Sequence, residues 1–222
     1  MADSYRRKVS FRSIYPALLV LALGSRAGAQ IVAPVHTDSA AIANARADSV
    51  HRPYTRADID FVSGMIHHHA QAIVMSTWAP THGASVAVRT LAGRIISAQL
   101  DEIHRMQQWL ADRRQPLVTP QLTRDTSMLD MPGMQETLMP GMLTDAQLDS
   151  LDHARDEVFD KLFLTYMIQH HTGATHMVQQ LFSTYGAGQD ETIFKMATDI
   201  NVDQRTEIAR MHRMLVAMAL SG

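Results

Sequence analysis

The strongest constraint on this chain is an internal repeat. Residues 61–75 and residues 163–177 share the pattern F-x-x-x-M-I-x-H-H-x-x-A-x-x-M. Each copy carries an Asp three residues before its Phe (Asp58, Asp160). A second pair of segments also matches. Gln99-x-x-Glu102-Ile103-x-x-Met106 returns as Gln204-x-x-Glu207-Ile208-x-x-Met211. The repeat unit is therefore a pair of segments, about 55 residues long, and duplicated units bury their apolar faces on one another.

Both segments of the unit carry helical periodicity. Phe61, Met65, His68, Ala72 and Met75 recur at a spacing near 3.6, as do Phe163, Met167, His170, Ala174 and Met177. In the partner segments Ile95, Gln99, Glu102, Met106 and Trp109 share one stripe, and Ile200, Gln204, Glu207, Met211 and Met214 share another. Thr55 with Asp58, and Thr144 with Gln147, read as capping boxes. These signals predict helices from Thr55 to about Ala79, from about Ala84 to Arg114, from Thr144 to about Tyr185 with a break near 152–156, and from about Asp190 to Ala219. Strand patterns are absent. Two hairpins of long amphipathic helices close most simply into an all-α four-helix bundle. The predicted bundle domain is 54–222, with repeats 54–114 and 144–222. The linker 115–143 is rich in Met, Pro and Gly and holds two Met-Pro-Gly-Met runs at 131–134 and 139–142.

The N-terminus reads as a targeting segment. Arg6, Arg7, Lys8 and Arg12 precede a short apolar run, Ile14 to Leu23, and Ala27-Gly28-Ala29 forms a cleavage site. The expectation is a signal peptide over 1–29, cleaved after Ala29, a flexible leader over 30–53, and a periplasmic or secreted protein with no membrane span after cleavage. The Arg6-Arg7 pair leaves the general secretory and twin-arginine routes both open. Without residues 1–29, which hold five basic residues and one acidic residue, the net charge is about −6. A nucleic-acid partner needs a basic surface and is not expected. The chain has no Cys, so any soft metal ligand must be Met.

The two stripes place His68, His170, Glu102 and Glu207 toward a shared interior, with His69 and His171 at helix–helix seams. Met65, Met75, Met106, Met167, Met177 and Met211 lie above and below. Burying imidazoles and carboxylates costs several kcal/mol unless they pair or bind an ion. Two readings stay open: a Glu–His hydrogen-bond network that sets bundle register, and a metal site in the bundle core. Thioether sulfur suits Cu(I), and imidazole accepts Cu(I), Cu(II) or Zn(II). The linker residues Met128, Met131, Met134, Met139 and Met142 sit where there is little core to fill. They read as copper contacts or as an apolar strap over the bundle.

The doubled M-I-x-H-H-x-x-A-x-x-M segment, Met139-Pro140-Gly141-Met142-Leu143-Thr144 and the Q-x-x-E-I-x-x-M helices resemble the bacterial domain-of-unknown-function family 305, which includes CopM-like periplasmic copper-binding proteins. The resemblance covers about 54–220. It implies a ferritin-like bundle that binds copper through Met and His in the cell envelope and contributes to copper tolerance. Carried over by residue, it points to Met65, His68, His69, Met75, Met167, His170, His171 and Met177. His67 departs from the second copy, which has Gln169.

The expected function is copper binding without turnover, with Cu(I) favoured, Cu(II) or Zn(II) acceptable, and an envelope copper-handling protein as a compatible partner. The alternatives are a metal-free structural or interaction bundle and a di-metal oxidase. The last needs E-x-x-H motifs and further carboxylates, and no E-x-x-H occurs.

Overall fold

The computed structural model describes residues 54–120 and 138–221. The expected signal peptide, the leader and the central linker with Met128, Met131 and Met134 lie outside the described residues. Five helices and no strand occur among the described residues: α1 (Arg56–Thr77), α2 (Val86–Asp112), α3 (Asp145–His153), α4 (Asp156–Ser183) and α5 (Glu191–Ser221). The four long helices form the expected bundle. α1 packs on α2, α4 packs on α5, and α1 against α4 joins the hairpins. No described helix is long and apolar enough to cross a membrane.

Both capping boxes form as their sequences dictate. The Thr55 hydroxyl accepts from Asp58 N–H, and the Asp58 carboxylate accepts from Thr55 N–H; Thr144 and Gln147 repeat the arrangement. α1 ends before the Trp78–Gly83 turn, where Gly83 takes a positive φ of 71°. The break before α4 comes at Ala154 and Arg155, where no Gly or Pro marks it. Its cause is tertiary. Asp156 N–H donates to the His82 carbonyl at 2.8 Å, and His82 Nε2 lies 2.9 Å from the Asp152 carbonyl oxygen. α3 and the start of α4 thus dock on the α1–α2 turn, and Asp156 takes φ 52° to do so.

The repeated Asp residues lock the hairpins to each other. Asp58 on α1 accepts from Gly188 N–H in the α4–α5 turn at 2.7 Å. Asp160 on α4 accepts from Ser85 N–H in the α1–α2 turn at 3.2 Å. Each hairpin's first helix therefore satisfies an orphan amide in the other hairpin's turn, which is what a duplicated Asp accomplishes under pseudo-twofold symmetry. Two residues beyond Gly188, buried Asp190 accepts from Ile193 N–H at 3.0 Å, from Trp109 Nε1–H at 3.2 Å and from the Arg113 guanidinium. This ties the end of α2 to the start of α5.

The core divides in two. One apolar cluster contains Met65, Met106 and Met177; the other contains Met75, Met167 and Met211. These are symmetry mates. Each of these triplets takes two thioethers from one hairpin and one from the other, and Met196 joins the first cluster. Between Phe61 and Ser76 every residue except His67 is buried, so α1 is enclosed on all sides rather than on one stripe.

Candidate metal centre

A layer of imidazoles carries the polar groups of the bundle core. His68, His69, His170 and His171 are all fully buried. The i, i+1 pair on each helix splits as its spacing dictates. His68 on α1 and His170 on α4 meet across the bundle, with ring centroids 3.9 Å apart and planes tilted by 41°. His69 and His171 turn instead toward α2 and α5.

The carboxylates pair differently from the sequence expectation. The helical stripes group Glu102 and Glu207 with His68 and His170, whereas in the structure they bind the other two imidazoles. His69 Nε2–H donates to Glu102 Oε2 at 2.7 Å, and His171 Nε2–H donates to Glu207 Oε2 at 2.6 Å. The reason is geometric: the residue facing the neighbouring helix across the seam is the second His of each pair.

The Met-Pro-Gly-Met run at 139–142 forms a strap across α1 and α4. His68 Nε2–H donates to the Pro140 carbonyl at 2.9 Å. Gln71 clamps Leu143 from both sides, accepting its N–H at 2.8 Å and donating to its carbonyl at 3.1 Å. Gln169, the counterpart of His67, donates to the Gly141 carbonyl at 3.3 Å. Glycines make the approach close enough. Gly141 has φ 79°, and a methyl group at Gly173 would overlap the Pro140 carbonyl and lie 2.6 Å from Gly141 Cα. Gly64 leaves a notch: a Cβ there would sit 3.0 Å from Met139 Sδ and 3.4 Å from Met177 Cε. Its symmetry mate is Tyr166, so the second half has no such notch. Met139 is half-buried against the first cluster, and Met142 is buried.

Eight buried nitrogen and oxygen atoms in and beside this layer have no hydrogen-bond partner among the described residues: Nδ1 of His68, His69 and His171, both ring nitrogens of His170, both amide atoms of Gln99, and Oε1 of Gln204. Gln99 and Gln204 precede Glu102 and Glu207 by one helical turn. The sequence places these amides on the inward stripes. Their role as buried, unsatisfied neighbours of the imidazoles is visible only in three dimensions. Native interiors satisfy nearly all such groups, and a polar guest, water or an ion, would satisfy these. The electrostatics agree with a neutral ligand set. Burial pushes the His68 imidazole down to about 3, against the upward pull of its bond to Pro140 and with a further downward push from His69 and His171. Burial also holds His170 well below 6.5, assisted by the charges of His68, His171 and His69 and opposed by the nearby His68 backbone, which lies outside good hydrogen-bond geometry. Neutral imidazoles keep the lone pair that a metal needs.

Among the described residues no three His, Asp or Glu side chains form a group that could hold a metal ion. Imidazole and carboxylate alone do not complete a shell here. Any further side-chain donor would have to be a thioether, and the two apolar clusters of the core bury several methionines. Such a mixed N/S set fits a soft ion better than a hard one.

Comparison with known proteins places the chain. A family model described as Domain of unknown function (DUF305) matches residues 58–215. No curated protein matches. Among solved structures, a DUF305 fragment from Deinococcus radiodurans aligns at 27% identity with TM-score 0.60, over 74% of this chain and 99% of that one. A DUF305 candidate secreted protein from Streptomyces coelicolor aligns at 28% identity with TM-score 0.60, over 72% and 91%. CopM in its Cu(I)-bound form aligns at 26% identity with TM-score 0.54, over 75% and 99%; CopM is also known in Cu(II)-bound and Ag-bound forms. This similarity hints at metal binding. The chain belongs to the DUF305 family.

Proposed function

We propose that this protein is an exported copper-binding protein that buffers or carries the ion in the cell envelope, without turnover, and so contributes to copper tolerance. Cu(I) is the favoured ion, with Cu(II) or Zn(II) as alternatives. The observation that carries this reading is the concentration of fully buried imidazoles with unsatisfied ring nitrogens in a bundle core that also buries methionines in both of its apolar clusters. Similarity to CopM, which has been crystallised with Cu(I), Cu(II) and silver, supports the choice of metal. The signal peptide read over 1–29 supports the compartment, where Met is a soft ligand that does not form disulfides.

The competing reading is a metal-free bundle whose His–Glu pairs set register. It is favoured by the bonds that three of the four imidazoles already make. The two readings separate in an anaerobic Cu(I) titration against a competing chelator. Wild type should take up copper, and the variant with His68, His69, His170 and His171 changed to Ala should not. An ion that binds only the folded state at 100 times its Kd stabilises by about 2.7 kcal/mol, a rise in Tm of roughly 5–10 °C for a chain this size. Unchanged Tm with copper, together with equal uptake by both proteins, would remove the proposal and leave the structural network.

A further inference from the structure

The chain has no Cys, so its oxidisable sulfur is all thioether. Most of the described methionines are buried; Met139, Met214 and Met218 are half-buried. Met214 and Met218 stand on α5, where helix bonds hold the backbone and a side chain can rotate outward alone. Met139 stands on the strap. Its Sδ lies against Gly64, so close that a Cβ on that glycine would come within 3.0 Å of the sulfur, and Met177 Cε lies 3.4 Å from the same point. Such a sulfur is open to a small oxidant from outside, yet its inner side has no room for another atom. The backbone carries its position further. The Met139 carbonyl accepts from Met142 N–H at 3.1 Å, and the next carbonyl, that of Pro140, accepts from His68 Nε2–H at 2.9 Å.

We propose that Met139 is a modification site at which hydrogen peroxide loosens the strap: the sulfur takes up one oxygen atom, the sulfoxide leaves the Gly64 notch, and the Pro140 carbonyl withdraws from His68. The thioether sulfur attacks one peroxide oxygen and the O–O bond breaks. An S–O bond forms, and the other oxygen leaves as water with the remaining protons. Sulfur loses two electrons and the peroxide gains them. The product is polar and chiral. An oxygen on the inner face would press on Gly64 and the Met177 methyl, where no donor stands to meet it. An oxygen on the outer face brings water to the seam between strap and α1. In either epimer the sulfur gives up its apolar seat against the first cluster. Methionine sulfoxide reductases remove the oxygen again, so the change is reversible. The proposal involves no metal and stands whether or not copper binds.

The test treats metal-free full-length protein with hydrogen peroxide and follows each methionine by tandem mass spectrometry. Met139 should oxidise at least about tenfold faster than the fully buried Met65 and Met167. Its oxidation should lower Tm by roughly 2–10 °C. Amide exchange at Leu143, whose N–H donates to Gln71 Oε1, should quicken by at least about tenfold. A methionine sulfoxide reductase should restore both. Met139→Gln, polar from the outset, should show the same loosening without peroxide. Met139→Leu should keep the strap seated and lose that part of the response. A Met139 that reacts no faster than Met65, or a sulfoxide there with Tm and Leu143 exchange unchanged, would overturn the proposal. So would a Met139→Leu protein that loses as much Tm to peroxide as wild type.

Discussion

Replacing Gly173 by Ala isolates the contribution of the strap. On an ordinary helix this change is favourable, because Ala outranks Gly by about 1 kcal/mol. At Gly173 the added methyl overlaps the backbone of Pro140 and Gly141, and backbone cannot move aside as a side chain can. The strap must lift. Lifting it breaks the bond from His68 Nε2–H to Pro140 and leaves a buried donor unsatisfied, at about 1–3 kcal/mol. It also exposes Leu143, which is fully buried, at about 1.5–3 kcal/mol. Set against the helix-propensity gain, the net loss is about 2–5 kcal/mol, or roughly 5–15 °C in Tm. Gly93 on α2 supplies the control, since a Cβ there meets nothing within 4 Å. Gly93→Ala should raise Tm by about 1–4 °C. Thermal melts of the metal-free variants followed by circular dichroism read both. A Gly173→Ala protein as stable as wild type would refute the close seating of the strap.

Stability of the metal-free protein should fall in mild acid. The folded-state His68 is depressed to about 3, and His170 lies well below 6.5, so the unfolded chain binds more protons once the pH drops below about 6.5. Each group then removes about 1.4 kcal/mol per pH unit, for His68 down to about 3. Melts between pH 7.5 and 5 should show the slope, and His170→Asn should flatten it; a Tm independent of pH would contradict neutral burial. In the cross-hairpin caps, Asp58→Ala loses bonds to Thr55 N–H, Thr55 Oγ and Gly188 N–H, while Asp160→Ala loses only two longer ones to Ser85 N–H. Urea titrations should give about 2–4 kcal/mol for Asp58→Ala and about half that for Asp160→Ala, and the reverse order would contradict the geometry.

The sequence by itself determined the architecture and most of the actors. The duplicated period specifies two hairpins, the Thr55 and Thr144 capping boxes specify where helices begin, and the His-His doublets specify that one imidazole per helix faces the axis and one the seam. These are local properties of backbone geometry, legible wherever apolar spacing and caps are legible. Tertiary structure decided the rest. It gave Glu102 and Glu207 to His69 and His171, because helix rotation settles which of two adjacent residues meets the neighbouring helix. It fixed the helix break expected near 152–156 at Ala154 and Arg155, through the bond from Asp156 N–H to His82, where no breaker residue stands. It seated the strap across α1 and α4, where Gly64 and Gly173 leave space that their symmetry mates Tyr166 and Gln71 do not. Partner choice across a seam depends on distances between elements far apart in the chain, and no periodicity within one element encodes them.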